Sequence, residues 1–523
     1  MTSPRMLIIG LDAADPALIE KWSDAGILPT LRRLRSRGVW IKLNHGGEFS
    51  SGSIWPTIST GTHPGKHGIY HTVPIMPGRA SFGHLKPEHY RQAPFWCDLE
   101  RQGKRCILFD IPFNYPRADL NALQISDWGS YECFAPPRSV PRAVLPEIIA
   151  RFGRYPFGGE ISRDVPLTKR DMWRTRRKLL AGIALKGSVI NWLISHRPWD
   201  FLMAVFGEPH AAGHYFWQFH ANTHPPGFSH VPREFATTIR DVYRAADCEL
   251  GRIVETLDNK TTLLVLSGQG MGPNYVGWHL IPEVLAKLRL TVGNQTNGNT
   301  VKIDWLAKLR SLVPSQRRRS LSRYLPNRVR DYLRLRWAAS NIDWSQSQVF
   351  DLPTDSLGFL RVNLKGREPN GIVEPGKEYD ELCQRTRKAL QELVIPKTGK
   401  RAAREIFLTD HLFPGPERDR LPDIIIDWND GTEIDGAYSS ETGTIEGTSP
   451  DPRQGNHRPE GFAVAYGTAI RKGYVAEGHI LDIAPTVLNY FGLEPAPSMN
   501  GRPWTGLFGS QSEASFKRAA THE

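Results

Sequence analysis

Short, strongly apolar runs recur along this chain and are separated by longer amphipathic stretches. The runs cover residues 7–11, 106–110, 201–206, 261–266, 424–427 and 462–466. Runs as apolar as these are typical of strands buried on both faces, as in a parallel sheet covered by helices. Segments between them, among them 16–25, 30–36, 172–196 and 232–257, have the periodicity of helices. The alternation predicts an α/β fold with a doubly wound, mostly parallel sheet and helices on both faces.

The composition is that of an ordinary globular protein. Of the 523 residues, 40% are hydrophobic, 10% aromatic and 23% charged, and such a chain can form one large α/β domain with an insertion or a few smaller domains. No apolar run reaches the length of about 18 residues expected of a membrane-spanning helix. The apolar run near the N-terminus is too short for the core of a signal peptide, so we expect a cytoplasmic protein. The five cysteines are scattered without a Cys-x-x-Cys pair, which argues against a disulfide framework and a thiolate metal site.

The alternation of strands and helices is interrupted between residues 280 and 420. We therefore divide the chain into a core of residues 1–279 and 421–509, an inserted cap of residues 280–420 and a polar tail of residues 510–523. The insertion contains an arginine-rich segment, residues 317–336, with eight arginines and one acidic residue. This segment is interpreted either as a solvated helical face or as a basic surface in peripheral contact with a membrane. The net charge of +12 is not accompanied by a recognisable nucleic-acid-binding module.

A pair of histidines follows the apolar run 201–206. Pro209 suits the first turn of a helix, and on that helix His210 and His214 are four residues apart. Residues at this spacing lie on one face of a helix, so both imidazoles can bind one metal ion such as zinc. A pair of this kind also arises by chance, and the surrounding motifs are needed to give it meaning.

Other chemically interesting residues also follow predicted strands. Asp12 comes after the first run, Gln269 comes after the run 261–266, and His457 lies in a glycine-rich loop before the last run. Ligands of open α/β sheets bind beyond the carboxyl ends of the strands. The sequence therefore predicts that these residues meet His210 and His214 at one edge of the sheet.

Six segments in the same order along the chain resemble the alkaline phosphatase superfamily, in particular its type I phosphodiesterase/nucleotide pyrophosphatase branch. The segments are residues 9–13, 51–61 followed by 64–69, 208–214, 267–272, 455–461 and 482–486. The resemblance implies an alkaline-phosphatase-like fold and hydrolysis or transfer at a phosphoester, such as a phosphodiester or a nucleotide pyrophosphate. It also implies two metal ions, usually zinc, and a serine or threonine nucleophile. A sulfate ester ranks lower, because the chain has no Cys-x-Pro-x-Arg motif.

The resemblance assigns roles to individual residues. Asp12 matches the first metal-binding aspartate, His214 and His457 match two histidines of one metal site, and His210 stands where the family usually has an aspartate ligand. Ser51 matches the nucleophile. It opens a predicted helix whose N-terminus can bind phosphate, although Ser50 and Ser53 are alternatives and all three serines can simply cap that helix.

The second metal site departs from the family pattern. Where the family has adjacent aspartate and histidine ligands, this chain has Gly268 and Gln269, which offer no side chain and a neutral amide. The three histidines, by contrast, form a complete set with one open position, as in a catalytic site with a single zinc ion. We expect one zinc ion and leave open a second divalent metal ion bound by Asp12 and Ser51, with Gln269 as a further ligand.

Positively charged side chains are candidates to replace the missing cation. Lys66, Arg453 and Arg458 can bind phosphate oxygens, and Asn274 lies close enough in sequence to enter the pocket. The expected substrate is a phosphorylated small molecule or a lipid-linked phosphoester. The alternative is an altered or inactive family member that binds a phosphorylated ligand or acts at a membrane surface.

Overall fold

The computed structural model describes residues 4–74, 85, 89–133, 135–158, 161–162, 165–166, 168–221, 231–293, 342–354, 356–471 and 476–509. The strands in these ranges are β1 (Arg5–Leu11), β2 (Val39–Asn44), β3 (Cys106–Phe109), β4 (Leu123–Ser126), β5 (Arg138–Val140), β6 (Phe201–Phe206), β7 (Thr261–Ser267), β8 (Gly270–Pro273), β9 (Val349–Asp351), β10 (Gly358–Val362), β11 (Ala403–Leu408), β12 (Ile424–Trp428), β13 (Gly436–Ser439), β14 (Gly443–Glu446), β15 (Gly455–Arg458), β16 (Glu460–Tyr466) and β17 (Ala476–Gly478). The α-helices are α1 (Pro16–Asp24), α2 (Pro29–Arg37), α3 (Ser51–Thr60), α4 (Pro64–His67), α5 (Trp96–Arg101), α6 (Val144–Phe152), α7 (Lys169–His196), α8 (Glu208–His220), α9 (Arg233–Ala236), α10 (Thr238–Thr256), α11 (Ile281–Lys287), α12 (Lys377–Gln391), α13 (Thr409–Leu412) and α14 (Ile483–Tyr490).

A nine-stranded sheet in the order β17-β2-β16-β7-β1-β6-β3-β4-β5 forms the centre of the molecule. The five neighbouring strands from β7 to β4 all pair in parallel. Strand β16 is antiparallel to both of its neighbours, and β5 is antiparallel to β4. This arrangement confirms the predicted α/β fold with a mostly parallel sheet.

Both faces of the central sheet are buried, as the apolar runs predict. On β1, the side chains of Leu7 and Ile9 belong to one hydrophobic cluster and those of Met6 and Ile8 to another. Successive residues of a strand point to opposite faces, so the two clusters are the two layers that flank the sheet. The first contains residues of α1, α2, α6, α7, α8 and α10, and the second contains residues of α3, α5 and α14. A strand in the middle of such a sandwich has to be apolar along its whole length.

One predicted core strand lies elsewhere. The run 424–427 is β12, which belongs to a separate four-stranded antiparallel sheet in the order β11-β12-β10-β9. The interpretation of this run as part of the parallel sheet is wrong, because apolar character shows burial on both faces and not which sheet a strand joins. The four-stranded sheet has its own hydrophobic cluster, formed by residues between Val276 and Ile445. The division of the chain at residues 280 and 420 stays a prediction.

Two sequence predictions fall on parts of the chain that the structure does not describe. The arginine-rich segment, residues 317–336, and the polar tail, residues 510–523, both lie outside the described residues. Among the described helices, α7 is long and apolar enough to cross a membrane, judged over its most apolar window of 18 residues. Half of that window is buried inside the protein, and core helices of other proteins meet the same criterion.

Candidate active site at the carboxyl edge of the sheet

Three neighbouring parallel strands bring the predicted site residues together. Strand β1 lies between β6 and β7, with Leu11 opposite Phe206 and Gly10 opposite Leu266. Because these strands end at the same level, the residues that follow them meet at one edge of the sheet. These residues are Asp12 after β1, the start of α8 after β6, and Gln269 after β7.

Helix α8 presents two histidines to this edge. Pro209 occupies its first turn, and the Nε2 atoms of His210 and His214 are 3.0 Å apart. His457 reaches the same place from β15. This strand pairs with β8, which follows β7 after a short turn. One ligand atom from each of the three histidines lies within 4.8 Å of the others. The structure thus brings together the three histidines that the sequence predicts as a metal site.

Hydrogen bonds on the far side of the rings fix which nitrogen faces the cluster. The Nδ1 atom of His214 is 2.7 Å from the carbonyl oxygen of Gly455, and Nδ1 of His210 is 2.8 Å from Oδ2 of Asp12. These oxygens accept, so each Nδ1 donates its proton and each Nε2 is left with a lone pair. Two lone pairs at 3.0 Å repel unless a cation or a proton lies between them. The chemistry of this donor set therefore fits one divalent ion.

Burial keeps the central histidine of the cluster neutral. His214 has no exposed surface. Burial, together with the positive charge of nearby Arg453, holds its pKa well below the usual range of histidine. Metal ions bind the neutral form of imidazole, so this environment favours metal binding over protonation.

Asp12 stands behind the histidine cluster and does not belong to it. Its Oδ2 contacts Nδ1 of His210, and its Oδ1 accepts a 2.8 Å hydrogen bond from the indole nitrogen of Trp55. The sequence predicts Asp12 as a metal ligand, whereas the structure makes it the hydrogen-bond partner that orients His210. A carboxylate in this position fixes the ring and makes the facing nitrogen more basic.

The space beside Gly268 is filled by apolar side chains. A Cβ atom at Gly268 would lie 2.5 Å from Ile54 and 2.9 Å from Ile58, so a side chain at this position has no room. Gln269 lines the cleft and offers only a neutral amide as a ligand. Within the described ranges, the three histidines are the one group of His, Cys, Asp or Glu side chains close enough to share an ion. The alternative of a second metal ion at Asp12 and Gln269 gains no support from this placement.

The structure separates the three candidate serines. The hydroxyl of Ser50, which has no exposed surface, donates to the carbonyl oxygen of Tyr70. Ser53 Oγ donates to the carbonyl oxygen of Ser50 over 2.8 Å. Ser51 is the first residue of α3 and is the serine of the three that lines the cleft. Its position at the open end of a helix suits a nucleophile, because the backbone N–H groups there attract an anion.

The cleft has two lobes that meet at Ser51, Gln269 and His457. The inner lobe is lined by Asp12, Ser51, Trp55, Pro112, Phe113, Tyr131, Glu132, His210, Gln269 and His457. The outer lobe is lined by His45, Gly47, Phe49, Ser51, Gln269, Tyr275, Val276, Ser356, Leu357, Arg404, Asp427, Trp428, Asn429, Asp430, His457, Arg458 and Pro459. In the inner lobe the ring of Tyr131 stacks on His210 with 3.8 Å between the ring centroids. In a phosphoester bound at Ser51, one substituent of the phosphorus would lie in the inner lobe and the other in the outer lobe.

Of the side chains predicted to bind substrate, Arg458 alone lines the cleft. The ammonium group of Lys66 donates to the carbonyl oxygen of Ser498 over 2.8 Å. Lys66 lines neither lobe. Arg453 also lines neither lobe, and its guanidinium is paired with Asp451 at 2.7 Å.

The side chain of Asn274 makes its hydrogen bonds within the protein. Its amide nitrogen donates to Asp451 and to the carbonyl oxygen of Arg453, and its amide oxygen accepts from Asn456. The structure therefore does not bring Lys66, Asn274 or Arg453 to the cleft. The positive charge of Lys66 and Arg453 and the position of Asn274 in the sequence are the basis of their prediction, and neither property determines the direction of a side chain.

Sequence reasoning missed a buried charged cluster beneath α8. Lys186 on α7 is 2.9 Å from Asp110 and 3.8 Å from Glu208, and none of the three side chains is exposed. Tyr155 donates to the other oxygen of Glu208 over 2.7 Å. Since Glu208 is the first residue of α8, this cluster anchors the helix that carries His210 and His214. The sequence offers one signal for it, which is a lysine in the apolar part of α7.

Comparison with known proteins places these features in a family. The model of the family described as type I phosphodiesterase/nucleotide pyrophosphatase matches residues 6–457. No curated protein sequence matches the chain significantly.

Solved structures that match the chain include an inactive form of murine ectonucleotide pyrophosphatase/phosphodiesterase 5 in complex with AMP. It has a TM-score of 0.48 and 15% identity, over 97% of this chain and 100% of that one. They also include phosphonoacetate hydrolase from Sinorhizobium meliloti 1021 in complex with phosphonoformate. Its TM-score is 0.47 and its identity 14%, over 92% of this chain and 94% of that one.

Proposed function

Because the chain belongs to the type I phosphodiesterase/nucleotide pyrophosphatase family, we propose that it hydrolyses a phosphodiester or a nucleotide-type pyrophosphate. Ser51 is the nucleophile, and one divalent cation, with zinc expected, is held by the three histidines of the cluster. The observation that carries the proposal is the meeting of Ser51, His210 and His457 in one cleft at the carboxyl edge of the parallel strands. Ligands of open α/β sheets bind at this edge.

The residues of the chain bind and orient the phosphate group. The N-terminus of α3 provides backbone N–H groups beside Ser51, and Arg458 provides a guanidinium in the adjoining outer lobe. Asp12 holds His210 in one orientation. A divalent cation, when bound, would supply the positive charge that activates the hydroxyl group and stabilises the phosphate oxygens.

The proposed reaction has two displacements at phosphorus. In the first, a bond forms between Ser51 Oγ and phosphorus while the bond to the leaving alcohol breaks, and the serine proton is delivered to the departing oxygen. In the second, a water molecule attacks phosphorus, the bond to Oγ breaks, and Ser51 regains a proton. The net reaction consumes one water molecule and yields an alcohol and a phosphomonoester.

One observation favours the alternative of an inactive binder. The space around Gly268 is filled by Ile54 and Ile58, where the family usually has a ligand of a second cation. A protein that had lost hydrolysis and kept binding would retain the helix N-terminus and the histidine cluster. The two functions differ in turnover and not in affinity for phosphoesters.

The test combines metal analysis with turnover of bis(p-nitrophenyl) phosphate by the purified full-length protein. We expect one divalent ion per chain, and we expect Ser51→Ala to fold, to keep its metal ion and to lose about 100-fold or more in turnover. Ser53→Ala is the matched control, because Ser53 Oγ bonds only within its own helix turn. A metal-loaded wild type that binds the diester without turning it over would establish the inactive binder instead.

Three further parts of the proposal concern the setting of the reaction. We propose that the protein works in the cytoplasm on a phosphorylated small molecule or a lipid-linked substrate. Peripheral contact with a membrane through the arginine-rich segment stays a prediction, and vesicle cosedimentation of the full-length protein tests it. Binding that disappears when the arginines of residues 317–336 are replaced would support this contact.

A further inference from the structure

The outer lobe contains buried polar groups that have no partner within the protein. Neither ring nitrogen of His45 has a hydrogen-bond partner among the described residues, and the same holds for the indole nitrogen of Trp428. Both side chains line the outer lobe and are 4% and 6% exposed. Buried polar groups are nearly always hydrogen-bonded, and the unpaired nitrogens of these two residues, which line a cavity, are candidates for bonds from a ligand.

The charges of the outer lobe are balanced. Arg404 makes a two-point contact with Asp427 at 2.7 and 3.0 Å and reaches Asp430 at 3.4 Å. Arg458 contacts the same carboxylate of Asp430 at 3.1 Å. Two guanidinium groups thus alternate with two carboxylates, and burial lowers the pKa of His45 to about 3, which keeps it neutral. A second phosphate group, which only accepts hydrogen bonds, would have to compete with these carboxylates for the arginines.

The lobe offers donors and acceptors side by side. A guanidinium has five N–H donors, and the contacts of Arg404 use three of them. The indole of Trp428 donates, neutral His45 donates at one nitrogen and accepts at the other, and the carboxylates accept. A hydroxyl group is the ligand group that both donates and accepts. The rings of Phe49 and Tyr275 add apolar wall to the same space.

From these contacts we infer that the outer lobe binds a neutral, hydroxyl-rich substituent of the phosphoester, such as a sugar ring. The inference rests on the proposed function, because Ser51 and His457 at the junction of the lobes place the reacting phosphate. It names the substrate class: a phosphodiester whose substituent carries several adjacent hydroxyl groups. His45 and Trp428 act as specificity-determining residues. Asp430, which lies between the two arginines, accepts hydrogen bonds from the hydroxyl groups.

The test compares three diesters with the same leaving group: methyl p-nitrophenyl phosphate, the p-nitrophenyl diester of glucose phosphate, and thymidine p-nitrophenyl phosphate. We expect kcat/KM for the glucose ester to exceed that for the methyl ester about tenfold or more, mainly through KM, since the hydroxyl groups satisfy otherwise unpaired polar atoms. Equal values for these two esters, or a clear preference for the thymidine ester, would overturn the inference while the proposed function stood.

The decisive variant is His45→Phe. It removes both unpaired nitrogens and keeps an aromatic ring of similar size, so no internal hydrogen bond is lost. We expect its melting temperature to rise or stay the same while the preference for the glucose ester falls about tenfold. A merely structural role would lower the stability and depress the turnover of all three esters alike. His411→Phe, the same change at an exposed position, is the control.

Binding without turnover separates this inference from the proposed function. Methyl glucoside, which contains no phosphate, is titrated against wild type and His45→Phe by ligand-observed NMR. Binding to wild type that His45→Phe loses would support the outer lobe even if none of the diesters were hydrolysed, in which case the proposed function alone would fail. The absence of glucoside binding together with equal turnover of the methyl and glucose esters would overturn the inference.

Discussion

Gly268 lies against two isoleucine side chains. A side chain at this position would begin 2.5 Å from Ile54 and 2.9 Å from Ile58. We therefore expect Gly268→Asp, which restores the residue type usual in the family, to destabilise the protein by about 3 kcal/mol or more without adding a second metal ion, because a buried carboxylate would be forced into apolar surroundings.

Urea denaturation and elemental analysis of the Gly268→Asp variant check this expectation. Gly293→Asp is the matched control, since a Cβ atom there meets no other atom within 4 Å. A stable Gly268→Asp variant with two metal ions per chain would show that the isoleucines yield easily and that the second site is dormant and not lost.

Glu48, whose two chain neighbours line the outer lobe, makes the stability of the folded protein depend on pH. Burial, together with nearby Glu405 and Asp427, raises its pKa from 4.5 to about 7. The folded protein therefore holds this proton more tightly than the unfolded chain does. The resulting stabilisation is complete below about pH 4.5 and is lost as the pH rises toward about 7.

We expect Glu48→Gln to flatten this part of the profile of unfolding free energy against pH, because the glutamine has no proton to lose. Denaturant unfolding of wild type and variant at several pH values between 4.5 and 8 measures the difference. Parallel profiles for the two proteins would show that Glu48 does not titrate in this range.

At the scale of secondary-structure elements, the buried Lys186 joins three parts of the fold beneath the site. It contacts Asp110 after β3, Glu208 at the start of α8 and the carbonyl oxygen of Gly129. Replacement of Lys186 by Met would leave two carboxylates buried without their cation. We expect Lys186→Met to lose about 3–5 kcal/mol of unfolding free energy, the usual cost of breaking a buried ion pair.

The control for this change is Lys388→Met at an exposed position of α12. Chemical denaturation of both variants provides the comparison. A loss in Lys186→Met no larger than that of the control would mean that the two acids take up protons in the folded protein and need no cation.

The sequence predicted elements better than their assembly. The apolar runs identified β1, β6 and β7, and helical spacing placed His210 and His214 on one face of α8, because both periods are local properties of the chain. The assignment of β12 to the central sheet failed, since strand pairing depends on partners distant in sequence. For the same reason, the sequence did not predict His45 and Arg404 as residues of the cleft. Their position there arises from the packing of the four-stranded sheet against the central core, and no local motif indicates such packing.

At the scale of the whole molecule, the cleft lies where two hydrophobic units meet. Ser51 lies on α3, His210 and His214 on α8 and His457 on β15, beside the edge of the central sheet. Arg404, Asp427 and Trp428 come from the four-stranded sheet. Under the proposed function, the elements beside the central sheet carry the nucleophile and the metal-binding histidines. The four-stranded sheet supplies side chains to the outer lobe, so under the proposed function substitutions there would alter substrate choice more than the chemistry.

A metal ion shared by α8 and β15 should also stabilise the molecule as a whole. A ligand that binds only the folded state adds about 2.7 kcal/mol at a concentration 100 times its dissociation constant. We expect added zinc to raise the melting temperature of the chelator-treated protein, and His214→Ala to abolish this increase whatever its own melting temperature is. His411→Ala, altered at an exposed position, should keep the full increase. An equal response of His214→Ala and wild type would place the bound zinc outside the histidine cluster and remove the basis for a one-metal site.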